Sequence, residues 1–364
     1  MAAVRRARPR RCGRSGSIAH GAVLVGLALG LALAPVPGLA PAPAAADTPG
    51  GIGPDTVPVE IRARPIETFR IGRDDQRFGK LTFLGGLELF SGNRHMGGLS
   101  GLVVTGDGGD LVAIADNGLW LQARIESAAD GRPLAVRDAR VTPMLGPDGV
   151  PLVNVGRGDT EAVTLRRGAG GNELVVSTER DHRVYAVPFP LDPGVRLREL
   201  AMPPAIRGLR HNKGMEAIAA ANDGPLAGTL VIIAERGPTF TDDMPGFLID
   251  GPRPGRFTVA RSDAFDATDA AFLPDGDLLL LERRFTLRHG IGMRLRRFAA
   301  EELRPGARIV GEVLLEAGFT AQIDNMEGLA VHRGADGATI LTLLSDDNRS
   351  ILQRTLLLRF RLDD

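Results

Sequence analysis

Glu327-Gly328-Leu329-Ala330-Val331, a turn at Ala335-Asp336-Gly337, and Ile340-Leu341-Thr342-Leu343-Leu344 running into Asp346-Asp347-Asn348 make up the stretch that decides the fold. An acidic or hydroxyl residue is followed by Gly or Ala and an apolar strand. A turn and a second apolar strand then end in charge. The phrase recurs at Ser100-Gly101-Leu102, Glu161-Ala162-Val163, Glu216-Ala217-Ile218 and Asp269-Ala270-Ala271. The matching second strands end at Asp116-Asn117, Glu179-Arg180-Asp181, Glu235-Arg236 and Glu282-Arg283. Successive copies start 53 to 61 residues apart. A unit of this length, filled with short strands, cannot bury its apolar faces alone and must stack on its neighbours.

Working outward, the second strands read as Leu111 to Ala115, Leu174 to Ser177, Leu230 to Ala234, Leu278 to Leu281 and Ile340 to Leu344. Turn signals separate them from their partners, among them Asp107-Gly108-Gly109 and Pro274-Asp275-Gly276. Each copy continues into one or two further strands, as at Arg183-Val184-Tyr185-Ala186-Val187. Helical periodicity is nearly absent. The expected fold is all-β: a β-propeller with five recognisable repeats, and a sixth, degenerate blade within 58–98 or 120–155 as the alternative. The last strand, Arg354 to Phe360, lacks a blade of its own. Pairing it with the strand at Leu81–Leu89 closes the ring and removes its open edges.

The first 46 residues read as an address. Six arginines between Arg5 and Arg14 precede an uncharged run from Ile18 to about Leu33, and Ala44-Ala45-Ala46 before Asp47 fits signal cleavage. The expected organisation is a signal peptide at 1–46, a linker or first edge segment at 47–65 and the propeller domain at 66–364. Export by the Sec or twin-arginine route puts the protein in the periplasm or outside the cell, with no membrane span after cleavage. Cleavage also removes Cys12, the single cysteine, which excludes thiol chemistry and cysteine-ligated zinc. Lys+Arg and Asp+Glu balance at 44 each. Since the leader takes only basic residues, the remainder is mildly acidic. Together with the scarcity of aromatics, this speaks against a nucleic-acid partner.

In a propeller the innermost strands run along one axis, so the recurrent position gathers Ser100, Glu161, Glu216, Asp269 and Glu327 at one mouth. Converging carboxylates repel and need a cation, arginine partners or raised pKa values. Asp159 and Asp324-Asn325 add oxygen donors. The preceding loops offer Arg94-His95, Arg157 and Arg210-His211-Asn212-Lys213. Hard oxygen donors without a thiol favour Ca²⁺ or Mg²⁺. The metal-ligand set expected is Glu161, Glu216, Asp269, Asp324 and Glu327, and no organic cofactor is expected. The distal acids Asp116, Glu179, Glu235, Glu282 and Asp346 are expected at the opposite mouth or at strand turns, bridging neighbouring blades.

Two partial motifs fail. Arg94-His95-Met96 and Arg288-His289-Gly290 lack the downstream Arg and Pro of the histidine acid phosphatase motif, since position 292 is Gly and 294 is Arg. No Gly-x-Ser-x-Gly nucleophile elbow surrounds Ser177 or Ser345. His95, His182 and His211 are the loop histidines available as a base.

At the same residues the chain resembles the phytase-like family described as having esterase-like activity of phytase. The matching phrases are Gly98-Leu99-Ser100-Gly101-Leu102, Asp159-Thr160-Glu161-Ala162-Val163, Asn212-Lys213-Gly214-Met215-Glu216-Ala217-Ile218 and Asp324-Asn325-Met326-Glu327-Gly328-Leu329. The closing phrase Leu343-Leu344-Ser345-Asp346-Asp347-Asn348 is the most specific, and the likeness covers about residues 80–362. The resemblance implies an exported propeller hydrolase acting on a small phosphate or carboxylate ester at the channel mouth, assisted by Ca²⁺. In that reading Glu161, Glu216 and Glu327 are the catalytic carboxylates, binding the ion or polarising water. Arg157, Arg210, His211 and Lys213 hold the substrate anion. The alternative is a non-catalytic envelope propeller that binds a ligand or a protein partner.

Overall fold

The computed structural model describes residues 55–363, apart from 212, 240, 287 and 289. The expected signal peptide lies outside the described residues. Twenty-four strands form five separate antiparallel sheets, the blades. From the axis outward, blade one is Leu99–Thr105, Asp110–Ala115, Leu119–Ser127 and Pro133–Pro143, edged by Val57–Pro58. Blade two is Thr160–Gly168, Gly171–Thr178, Val184–Phe189 and Arg198–Glu199. Blade three is Met215–Ala220, Leu230–Ala234, Met244–Ile249 and Gly255–Val259, with Arg308–Ile309 added in parallel. Blade four is Asp266–Phe272, Leu278–Thr286, Gly290–Phe298 and Glu312–Gly318.

Blade five joins the two ends of the ring. Asn325–Arg333, Thr339–Asp346 and Thr355–Leu362 are completed by Leu81–Phe90 and Arg62–Ile66. The pairing of Thr355–Leu362 with Leu81–Leu89 is the closure expected from the unpaired last strand. Among the described residues there is no sixth blade: the strands of 62–90 finish blade five, and those of 119–143 finish blade one. The stretch before residue 66 is an edge segment, split between blades one and five. Among the described residues no helix is long and apolar enough to cross a membrane.

The strands are apolar on both faces because each blade is covered on both sides. Leu174, Val176 and Tyr185 of blade two meet Val103, Ile114 and Trp120 of blade one. From the opposite face, Val175 and Ala186 meet Ile218, Ile232 and Phe247 of blade three. Three further clusters fill the remaining interfaces, so five cores replace one central core. The blade-five to blade-one contact is also pinned by Arg359, which is fully buried and has no carboxylate partner among the described residues. Its Nη1 donates to Ser127 Oγ at 2.8 Å and to the Gly131 carbonyl at 3.2 Å. Burial alone lowers its pKa to about 10.

The small residue in the repeated phrase has a steric cause. Inner strands crowd together near the axis, and a Cβ on Gly101 would lie 3.1 Å from the Val163 amide of the next blade. A Cβ on Gly328 would lie 2.6 Å from Leu102 Cδ2. Ala162 and Ala217, in the same place on their strands, are completely buried. Gly328→Val should therefore overpack the blade-five to blade-one contact. A loss of about 1–3 kcal/mol is expected, read as a lower urea midpoint with an unchanged slope.

Candidate functional site

Each inner strand opens with a β-bulge. The register against the second strand skips one residue between Leu99 and Gly101, between Met215 and Ala217, between Ala267 and Asp269, and between Met326 and Gly328. In blade two the skip falls at Glu161, since Thr178 faces Thr160 and Ser177 faces Ala162. The residues so displaced are Ser100, Glu161, Glu216, Thr268 and Glu327. A bulge frees its extra residue from the ladder and re-aims the side chain.

Asp269 is thus not the blade-four equivalent of the three glutamates; Thr268 is. Asp269 takes the place of Gly101, Ala162, Ala217 and Gly328, facing the next blade. Its carboxylate accepts from the Leu329 amide of blade five at 2.7 Å and from its own Ala270 amide at 2.8 Å. It acts as a buried strut between blades, spanning a gap that small residues leave closed elsewhere. Asp324 also turns away from the axis. It accepts from the amides of Asn325 at 2.9 Å and Arg354 at 3.1 Å.

The distal acids require the other correction. In an antiparallel hairpin the second strand ends where the first begins, so they share the mouth with the bulge residues instead of lying opposite. The residues just past the bulge-level pair are Asp116, Glu179, Glu235, Arg283 and Asp346. Blade four again departs from the pattern by one residue, presenting Arg283 where its sisters present a carboxylate. Glu282 turns into the blade, where Arg294 Nε and Arg296 Nε donate to it, each at 2.8 Å.

Ten positions around the mouth therefore carry seven carboxylates, two hydroxyls and one guanidinium. Oxygens of Asp159, Glu161 and Glu179 lie within 4.8 Å of one another, as do those of Glu179, Glu216 and Glu235. Glu327 stands apart, bound by Arg283 and by Asn325 Nδ2 at 2.7 Å. Arg283 also approaches Glu235 at 3.6 Å, and Lys213 Nζ reaches Glu235 at 2.7 Å. Arg349 of blade five pairs with Asp116 of blade one at 2.7 Å.

Of the expected anion-holding residues, Lys213 touches the carboxylates. Arg157 approaches Asp181 at 3.8 Å in an exposed setting, and His211 Nδ1 lies 3.1 Å from the Arg180 carbonyl. Arg210 pairs with Lys213 in an isolated bridge. His182 is buried against the Leu209 carbonyl at 3.1 Å, and burial lowers its pKa. Sequence reasoning missed Asp116, Glu179, Glu235, Asp346 and Arg283 as mouth residues, although the hairpin pattern places the end of every second strand there.

Burial is the main force on these carboxyls. It pushes Glu161 and Glu216 well above the ordinary carboxylate range, and repulsion from Glu327 and Glu161 respectively adds to it. Glu327 is raised by burial against the opposing pull of Arg283. Glu179 is also raised by burial, while a hydrogen bond with Glu216 opposes the shift. Asp346 is pushed up to about 8, again chiefly by burial and then by Glu327.

Together these features define a five-bladed β-propeller with an acidic mouth whose carboxyls burial pushes towards the protonated form. Residues 94–349 match the phytase-like family, esterase-like activity of phytase, and the chain belongs to that family. No curated protein matches the sequence. Among solved structures, the tail fibre of Staphylococcus aureus phage P68 is similar at 12% identity, with 81% of this chain and 55% of that one covered and a TM-score of 0.38. This chain thus spans about half the length of that fibre. Cellvibrio cellulosa α-L-arabinanase complexed with arabinohexaose is similar at 13% identity, covering 71% and 90%, with a TM-score of 0.42. The PQQ-bound aldose sugar dehydrogenase of Streptomyces coelicolor is similar at 12% identity, covering 79% and 99%, with a TM-score of 0.40.

Two outcomes follow from the geometry. A carboxyl whose folded pKa is raised contributes stability that is full below its unfolded pKa of about 4 and is lost as pH rises through the folded value. For Asp346 that window ends near pH 8, and Glu161 and Glu216 act in the same direction. In chelator, the melting temperature should fall steadily from pH 5 to 9, as followed by scanning fluorimetry. Separately, Asp269→Ala should cost about 2–4 kcal/mol in chemical unfolding, because it strands the buried Leu329 amide.

Proposed function

We propose that the acidic mouth binds a hard divalent cation, Ca²⁺ by its donor set, and hydrolyses a small phosphate or carboxylate ester. The observation that carries this reading is the pair of carboxylate triplets sharing Glu179. Calcium–oxygen distances of about 2.3–2.6 Å allow ligand oxygens about 5 Å apart on one ion, which the spacing meets. The donors are all carboxylates, with no thiol and no imidazole among them. Asp159, Glu161, Glu179, Glu216 and Glu235 would hold the ion; Asp269 and Asp324, already engaged by backbone amides, are left out.

Once bound, such an ion would offset the charge of the ester oxygens. The chain's own residues supply the rest. Lys213 and Arg283 draw the anionic group towards the axis against the surrounding carboxylates. Glu179 and Glu216 would give up their protons as they take the ion, Glu161 is placed to take a proton from an attacking water, and the departing oxygen takes its proton from solvent. Export to the periplasm or beyond is part of the same proposal. The second reading, a propeller that binds without catalysis, draws support from the ion pairs already occupying the mouth, Arg349–Asp116 and Lys213–Glu235.

The test combines thermal unfolding with turnover of p-nitrophenyl phosphate and p-nitrophenyl acetate, in calcium and in chelator. Calcium is expected to raise the melting temperature and support turnover. Glu216→Gln is expected to lose at least tenfold in both affinity and rate, and Glu327→Gln to lose rate. Calcium without effect on either readout, with both variants matching wild type, would sink the metal-hydrolase reading. Calcium stabilisation without turnover would leave the binding propeller.

A further inference from the structure

The four most exposed large apolar side chains among the described residues are Ile351 (101%), Leu352 (87%), Phe285 (82%) and Phe319 (69%). All four stand at the carboxylate mouth, on the rim of blades four and five. The hairpin of Leu278–Thr286 and Gly290–Phe298 overshoots its blade. Pairing with the inner strand stops at Asp266 opposite Arg283, while the hairpin itself runs on through Phe285 opposite Ile291. Phe285 therefore projects beyond Arg283, above the mouth.

These tips form one continuous rim. The ring of Phe319 occupies the space that a side chain on Gly290 would take, at the hairpin's turn. The Ile71 amide donates to the Thr320 carbonyl at 2.9 Å, bringing a fifth exposed apolar side chain beside Phe319. Arg354 Nη2 donates to the Ile323 carbonyl at 3.1 Å, tying the loop of Ile351 and Leu352 to the same segment. An exposed arginine accompanies them, Arg288 in the hairpin turn; Arg349, two residues before Ile351, is held by Asp116.

We propose that this rim docks the mouth onto a lipid surface. Single side chains projecting from separate loops suit a deformable apolar medium, whereas a folded partner would need a matching pocket for each. Hydrocarbon takes the Phe, Ile and Leu tips, and a headgroup phosphate meets Arg288. A second copy of the chain fits poorly, since an isologous contact here would bring two acidic mouths together. The proposal stands whether or not the mouth hydrolyses an ester.

The chain from Asp47 is the material for the test, since every strand and all five cores lie within 57–362. It is floated with vesicles of phosphatidylcholine, alone and with phosphatidylglycerol, in chelator to exclude calcium bridging. Wild type is expected to float with phosphatidylcholine, and less strongly with phosphatidylglycerol, whose charge the acidic mouth repels. Phe285→Ser combined with Leu352→Ser is expected to weaken partitioning about a hundredfold with an unchanged melting temperature. Wild type that stays in the aqueous layer, or a double variant that floats equally well, would overturn the proposal. So would light scattering that shows wild type, but not the variant, to be a dimer. None of these readouts depends on turnover, so the hydrolase reading can fail without this one, and the reverse.

Discussion

The structure depends on how closely five strands can approach one axis. Where Gly101 and Gly328 meet the neighbouring strand there is no room for a larger side chain. A regular strand sends its residues alternately into the two blade interfaces, and both of those are filled with apolar side chains. A carboxylate at the start of such a strand would be buried against leucines. The bulge resolves this conflict. One extra residue leaves the ladder, its side chain turns to the axis, and the small residue that follows lets the strands close again. The acid followed by Gly or Ala is the sequence trace of that geometry.

The same constraint explains what could be read in advance. Strands apolar on both faces have no reading except burial on both sides, and a last strand without its own blade has no good partner except the first long one. Architecture and closure were therefore legible. Blade four was not, because Asp269-Ala270-Ala271 imitates the phrase one residue out of step. A slip of one residue sends every side chain to the other face of a sheet, and composition alone cannot reveal which residue is the bulge. The same slip hid Arg283 behind Glu282. The carboxylates at the second-strand ends were misplaced for a different reason: their strands were recognised, but the return direction of the hairpin was not carried through to Glu179 and Glu235.

Blade four gives the site its polarity. Three blades send a glutamate to the axis, and blade four sends Thr268 and Arg283. Arg283 reaches Glu327 on one side and Glu235 on the other, so it couples blades three and five across its own. Its pKa rises because Glu327, Glu216 and Glu235 outweigh the penalty of burial. The bulge-level carboxyls of blades two and three, Glu161 and Glu216, feel Arg283 too weakly to offset burial, which pushes both well up. One half of the mouth thus faces a fixed cation, while in the other half burial favours the protonated carboxyl.

That division sets what the fold must tolerate. Seven carboxylates drawn into a partly dehydrated ring work against folding as they ionise, and no single interaction at the mouth offsets them all. The opposing stability is spread over five blade interfaces, each with its own apolar cluster, and over struts between blades such as Asp269 and Arg359. Strain at a functional site persists when the surrounding structure over-determines it. A closed ring does so because no blade can relax without opening two interfaces, which allows the mouth to keep protonated, poorly solvated carboxyls that an open sheet would expose to water.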